Sequence, residues 1–256
     1  MSHALLCNRI FSAIAVVILA AMSTGCASFR IDASLAPTGR PIPAPVTFNL
    51  TDVRYVVLTN MAQDALSPFA SYPITRASLS DDMMNVAMKL YPKTFSKAPD
   101  AVPLQVTITG INNEAGVDDG AACVSCLTLT LIPLRSTDKE TYSVETRSSI
   151  PAANQALARP VTFSRTDVSW LSILPTGWIP VPAGAGERAW GMDSGIATAK
   201  EITFKSCVEA IAANLRRVKP EAWSASVPAT RQKESDTPAP AVPRKSDSAL
   251  PPPPVL

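Results

Sequence analysis

Proline sets the limits of what this chain can fold into. Each proline locks φ and removes a backbone donor, so clusters of them exclude helix interiors and central strands. The 256 residues contain 24 prolines, unevenly spread. Residues 224–256 carry eight of them, with no glycine and no aromatic residue, and end in PPPPVL. Such a segment has too little apolar surface to offset chain entropy, so it is expected to be a disordered tail of polyproline-II character. A ligand role of the PxxP type is the alternative. Residues 27–45, ASFRIDASLAPTGRPIPAP, carry four more prolines and little periodicity, and read as a tether. Residues 46–223 remain for a single domain, and a hydrophobic content of 46% gives it enough to bury a core. A formal net charge of +2 with 17% charged residues lacks the basic excess of a nucleic-acid binder, so no nucleic-acid partner is expected.

The N-terminus carries an address. Arg9 and the terminal amine precede 13 residues from Ile10 to Met22 in which Ser12 alone is polar. That length fits a secretory signal and falls short of the ~20 residues that span a bilayer. Ser23-Thr24-Gly25-Cys26 follows, and resembles the lipobox of bacterial lipoproteins, with Ser23 where leucine is commonest. The resemblance implies that residues 1–25 are a lipoprotein signal peptide and that Cys26 becomes an acylated N-terminus. Each buried methylene contributes about 0.8 kcal/mol, so several acyl chains hold a protein where one would not. In that family an Asp after the cysteine favours inner-membrane retention, so with Ala27 there the resemblance implies the outer membrane, with the protein facing the periplasm. Ordinary signal-peptide cleavage and an uncleaved anchor are the alternatives.

Alternation and helical spacing give the domain's elements. Val46, Phe48 and Leu50 alternate, and so do Val53, Tyr55 and Val57, with a phase slip that predicts a bulged strand over 46–58. Ser80 is placed to cap a helix with Asp81 and Asp82 in its first turn, stopped by Pro92. Val102, Leu104, Val106 and Ile108 predict a second strand, Leu127, Leu129 and Leu131 a third, and Tyr142, Val144 and Thr146 a fourth, with a polar turn over 135–140. Ala197, Glu201, Phe204, Val208, Ile211 and Leu215 lie on one stripe of a helix over 193–217. The order β-α-β-β-β-α predicts an α+β domain: a mixed or antiparallel sheet of about four strands with two helices on one face, flanked by disordered termini.

Histidine bounds the chemistry. The only one is His3, inside the expected signal peptide, so the mature chain has no Ser-His-Asp or Cys-His pair and no histidine-ligated metal. No catalytic residue, metal site or cofactor is assigned. Cys123-Val-Ser-Cys126 leads into a strand pattern instead of opening a helix, which argues against a thioredoxin-like role. In an oxidising periplasm the default is a Cys123–Cys126 clasp. Cys207 is left to bridge one of them or to remain a buried free thiol. Ser136-Thr-Asp-Lys139 lacks the companion motifs of the penicillin-interacting enzymes, and Gly184-Ala-Gly186-Glu-Arg-Ala189 reads as a loop. Residues 112–120, rich in Asn, Asp and Glu, read as a turn, with a weak calcium site as the alternative.

The segment from Trp170 to Pro182 is apolar, aromatic and broken by proline and glycine. It reads either as a loop folded over the sheet or as an exposed patch for a partner or a membrane surface. Its candidate residues are Trp170, Leu171, Ile173, Leu174, Trp178 and Ile179, with Trp190 at the rim. Together these features predict a lipid-anchored envelope protein that serves as a non-catalytic binding or assembly module for another envelope component. A binder of lipid or another amphiphile is the second reading, and an enzyme using lysine and carboxylates the third.

Overall fold

Alternating apolar residues on Leu104, Val106 and Ile108 and on Tyr142 and Val144 build the centre of a sheet, and a long helix of small residues covers it. The computed structural model describes residues 27–57, 76–117, 134–171 and 183–224, all within the unit Met1–Ala225. The chain order is β1 Ala27–Ala33, β2 Phe48–Val57, α1 Arg76–Leu90, β3 Val102–Val117, β4 Leu134–Ser148, α2 Pro151–Leu157, β5 Val161–Leu171, β6 Glu187–Trp190, α3 Met192–Arg216 and α4 Pro220–Ser224. The fold is α+β, and its six described strands form one mixed sheet in the order β2-β3-β4-β5-β1-β6. The expected four strands and two helices were therefore too few. β2 and β3 are parallel, as a connection through a helix requires, and the other neighbours are antiparallel.

One core joins all four described helices to one face of the sheet. Leu79 and Met83 of α1, Leu157 of α2, Phe204 and Ile211 of α3 and Trp223 of α4 meet Phe48, Leu104, Val106, Tyr142 and Phe163. The Trp223 ring stands edge-on to Phe48 at 4.8 Å. Among the described residues the other face carries no helix and is rich in hydroxyls, with Thr107, Thr109, Thr141, Ser143, Thr162 and Ser164 alternating with the core residues. The phase slip in β2 is a true irregularity, because the β2–β3 register shifts between Leu50 and Asp52.

The proline-rich stretch after Cys26 is not a tether. Ala27–Ala33 is β1, an inner strand hydrogen-bonded to β5 on one side and β6 on the other. Phe29 and Ile31 are buried with Ala189 and Ala199 in a second core cluster. Gly195 of α3 makes room for this contact, since a Cβ there would fall 2.7 Å from Phe29 Cδ2. The prolines that follow are no obstacle, because side chains of α3 satisfy the backbone. The Ser206 hydroxyl donates to the Leu35 carbonyl at 2.7 Å, and Arg216 Nη2 donates to that of Arg40 at 3.0 Å.

Other expectations change for local reasons. α1 begins at Arg76, so Ser80 does not cap it. The Ser80 hydroxyl instead accepts the backbone N–H of Val53 at 2.9 Å, satisfying a donor next to the β2 irregularity. Asp81 and Asp82 pair with Lys97 and Lys200 at 2.9 and 3.0 Å. Residues 135–140 are not a turn, because β3 and β4 continue as a hairpin until Val117 faces Ser136. Residues 112–117 are strand for the same reason. α3 follows the expected range, but Ala197 and Glu201 are exposed. Its first turns bury Gly195, Ala199 and Thr203, and from Phe204 to Ala212 all but Lys205 are buried. The strand expected over 127–131 and the tail over 225–256 lie outside the described residues. β5 and α2 were not anticipated.

Candidate interaction surface

The antiparallel register brings the start of the chain and the tryptophans to one end of the sheet. Ala27 faces Leu171, and Ser28 lies between Trp170 of β5 and Trp190 of β6. Leu134 of β4 faces Leu171, and Arg135 faces Trp170. The last two rows across four strands therefore hold Leu134, Leu171 and Ala27, then Arg135, Trp170, Ser28 and Trp190. Gly191 N–H donates to the Ala27 carbonyl at 2.8 Å, which brings the start of α3 to the same corner. Trp190 is 46% exposed, Leu171 40% and Met192 37%, while Ala27 and Ser28 are buried. Ser28 alternates with the core residues Ala27 and Phe29, so the two indoles stand beside it on the helix-free face. The sheet end thus presents large apolar side chains around the residue that follows Cys26.

Of the residues singled out in the sequence, the structure brings Trp170, Leu171 and Trp190 together. Ile173, Leu174, Trp178, Ile179, Cys26, Cys123 and Cys126 lie outside the described residues. Cys207 is a free thiol, fully buried in α3, and burial pushes its pKa up. Of the two readings of Cys207, the free thiol is the one present. Cys207 is therefore expected to resist alkylation in the native protein and to react fully in denaturant, as peptide mapping by mass spectrometry will read. Native labelling at a rate like that of a small thiol would contradict the burial.

Two buried polar clusters were missed at the sequence level. In the first, Arg165 is fully buried in β5, with Nη2 at 2.7 Å from Asp167 Oδ2 and 3.1 Å from Glu140 Oε2. Its Nη1 donates to Thr203 Oγ1 at 3.2 Å, and the Tyr142 hydroxyl donates to Glu140. Burial works against the cation, yet Tyr142, Asp167 and Glu140 together raise the Arg165 pKa. Burial foremost raises that of Tyr142. Arg165 and Asp167 share the parity of Phe163, a signal that can be read only once β5 is known to be a strand. The cluster is sealed from solvent and ties β4, β5 and α3 together, so these carboxylates are spent on an ion pair.

The second cluster fastens the segment after β1. Glu209 of α3 is buried and accepts from Thr38 Oγ1 at 2.8 Å, from Arg216 Nη1 at 2.9 Å and from the Tyr91 hydroxyl. Burial pushes the Glu209 carboxyl up, but hydrogen bonds from Tyr91, Arg216 and Thr38 outweigh it and hold its pKa below the ordinary 4.5. A carboxyl with a depressed folded pKa stabilises the fold above its unfolded pKa, and that stability is lost as pH falls through the folded value. Glu209→Gln is expected to cost about 1.5–3 kcal/mol at pH 7 and to flatten stability against pH below about 4.5. Chemical denaturation at pH 7 and pH 3.5 will read both. An unchanged acid limb would show that Glu209 is not a source of it.

A cleft of about 410 Å³ lies at the opposite end of β1, between the β1–β6 edge, α3 and the end of α1. Ile31, Ala36, Pro37, Leu90 and Ile202 give it an apolar lining, with Asp32, Glu187 and Lys205 as charged groups. The Lys205 ammonium pairs with Glu201 at 2.7 Å. Gly184 and Gly186 precede β6, not a helix, at φ of 126° and 119°, so the fingerprint there does not cradle a phosphate. Ser136 and Lys139 both lie in β4, away from any helix start. Among the described residues no group of three His, Cys, Asp or Glu is placed to hold a metal, and no helix is long and apolar enough to cross a membrane. No family model, no curated protein and no solved structure matches this chain.

Proposed function

We propose that the protein is a lipid-anchored component of the bacterial cell envelope, attached to the outer membrane through Cys26 and facing the periplasm. There it works as a non-catalytic binding or assembly module. The observation that carries this reading is the 13-residue run from Ile10 to Met22, apolar but for Ser12, leading to Ser23-Thr24-Gly25-Cys26. It is supported by β1, which begins one residue later and gives the anchored chain a rigid start. Two carboxylates that converge, Glu140 and Asp167, are both paired with Arg165 away from solvent, which favours a scaffold over lysine and carboxylate catalysis. The test is pull-down from crosslinked envelopes, comparing the wild type with Cys26→Ala. Recovery of a reproducible envelope protein by the wild type alone supports the reading. Recovery of the same set by both, or of none by either, counts against it.

The second reading, a binder of lipid or another amphiphile, is favoured by the apolar cleft beside β1. Its volume is in the range of small-molecule sites. Mass spectrometry of organic extracts from the purified protein distinguishes it. A stoichiometric lipid lost in Ile202→Trp supports the cleft as the site, and an extract free of lipid removes it.

A further inference from the structure

We propose that the sheet end built by Trp170, Leu171, Trp190 and Met192 lies directly on the lipid surface, so that the domain is seated on the bilayer without a spacer. This rests on the reading of Cys26 as the acylated residue. Ala27 is already paired on both sides in the sheet, its carbonyl accepting from Gly191 and its neighbour Ser28 held between β5 and β6. A chain whose lipidated cysteine immediately precedes Ala27 has one Cα–Cα step, about 3.8 Å, between the anchor and the folded body. Neighbouring strands are about 4.8 Å apart, so both tryptophan-bearing strands lie within that distance of β1. No placement of Cys26 in the headgroup region leaves this end far from lipid.

The side chains at this end suit that environment. Tryptophan concentrates at membrane interfaces because its ring is apolar and its N–H polar, which suits the exposed Trp190, while the Trp170 N–H is buried. Trp190, Leu171 and Met192 are among the most exposed large apolar residues of the described chain. Arg135, across from Trp170, and Arg188, two residues before Trp190, are exposed cations at headgroup depth.

The test uses the acylated full chain in vesicles of phosphatidylethanolamine and phosphatidylglycerol that contain a phospholipid with a diazirine on its acyl chain. Photolysis and peptide mapping are expected to give lipid adducts in 167–171 and 189–192, and none in 105–109 or 141–147. Trp190→Asp is expected to lower the yield in 189–192 severalfold while palmitate incorporation stays unchanged. Adducts spread over residues 105–109 and 141–147, no adducts in 167–171 and 189–192, or an unchanged yield in Trp190→Asp would overturn the seating while leaving the anchor intact. A chain that incorporates no palmitate removes the anchor itself, and the seating with it.

Discussion

Arg165→Ala is expected to bring the protein close to unfolding. The guanidinium is fully buried and faces Asp167 and Glu140, themselves almost wholly buried. Its removal leaves two carboxylates in a low-dielectric interior with the Tyr142 hydroxyl as a neutral donor to Glu140. Breaking a buried ion pair from one side costs about 3–5 kcal/mol, because the uncompensated charge remains. Domains of ordinary stability have about 5–15 kcal/mol to lose. For a chain of this size the melting temperature should fall by roughly 6–20 °C. The variant Arg165→Met, Glu140→Gln, Asp167→Asn removes all three charges and should be less destabilised than the single one, since no buried charge is left unpaired. A single variant that melts within a degree or two of the wild type would show that these groups are not sealed from water.

Phe29→Ala is expected to have an effect of similar size, and it separates the two ways of viewing the chain after Cys26. If residues 27–45 were a free tether, the change would be silent. In the structure Phe29 is buried against Gly195 and belongs to the cluster of Ile31, Ala189 and Ala199. Truncating a buried phenylalanine costs about 3–5 kcal/mol in lost transfer energy and residual cavity. The loss falls where β1, β5, β6 and α3 meet, so the midpoint of denaturant unfolding should drop with little change in slope. A silent variant would detach β1 from the fold and restore the tether.

These two sites show what the sequence makes legible and what it hides. Elements whose pattern is local were readable. β2, with its phase slip, is seen in Val53, Tyr55 and Val57, β3 and the second half of β4 are seen in their alternation, and α3 ends within a residue of its expected limit. β1 was hidden because its seven residues, ASFRIDA, stand beside a run of prolines and owe their order to partners more than 130 residues away. α2 is a single short segment, and propensity alone does not nucleate one. β5 was hidden because Arg165, Asp167 and Ser169 occupy its core-facing positions and break the apolar alternation that marks a strand. The start of β4 was missed for the same reason, since Ser136, Asp138 and Glu140 look like turn chemistry until a long hairpin partner is supplied. Trp170, Leu171 and Trp190 were readable as apolar outliers. Their convergence on the residue after Cys26 was not, because it depends on the register of three strands.

The central claim is that Cys26 is acylated and that the folded body begins at the very next residue. Intact-mass measurement of the protein purified from native membranes, with palmitate labelling of the wild type and of Cys26→Ala, tests it most directly. The account predicts a wild-type mass that lacks residues 1–25 and carries acyl chains, with label and membrane attachment both lost in Cys26→Ala. A mass that retains residues 1–25, or an unmodified terminus, would contradict it.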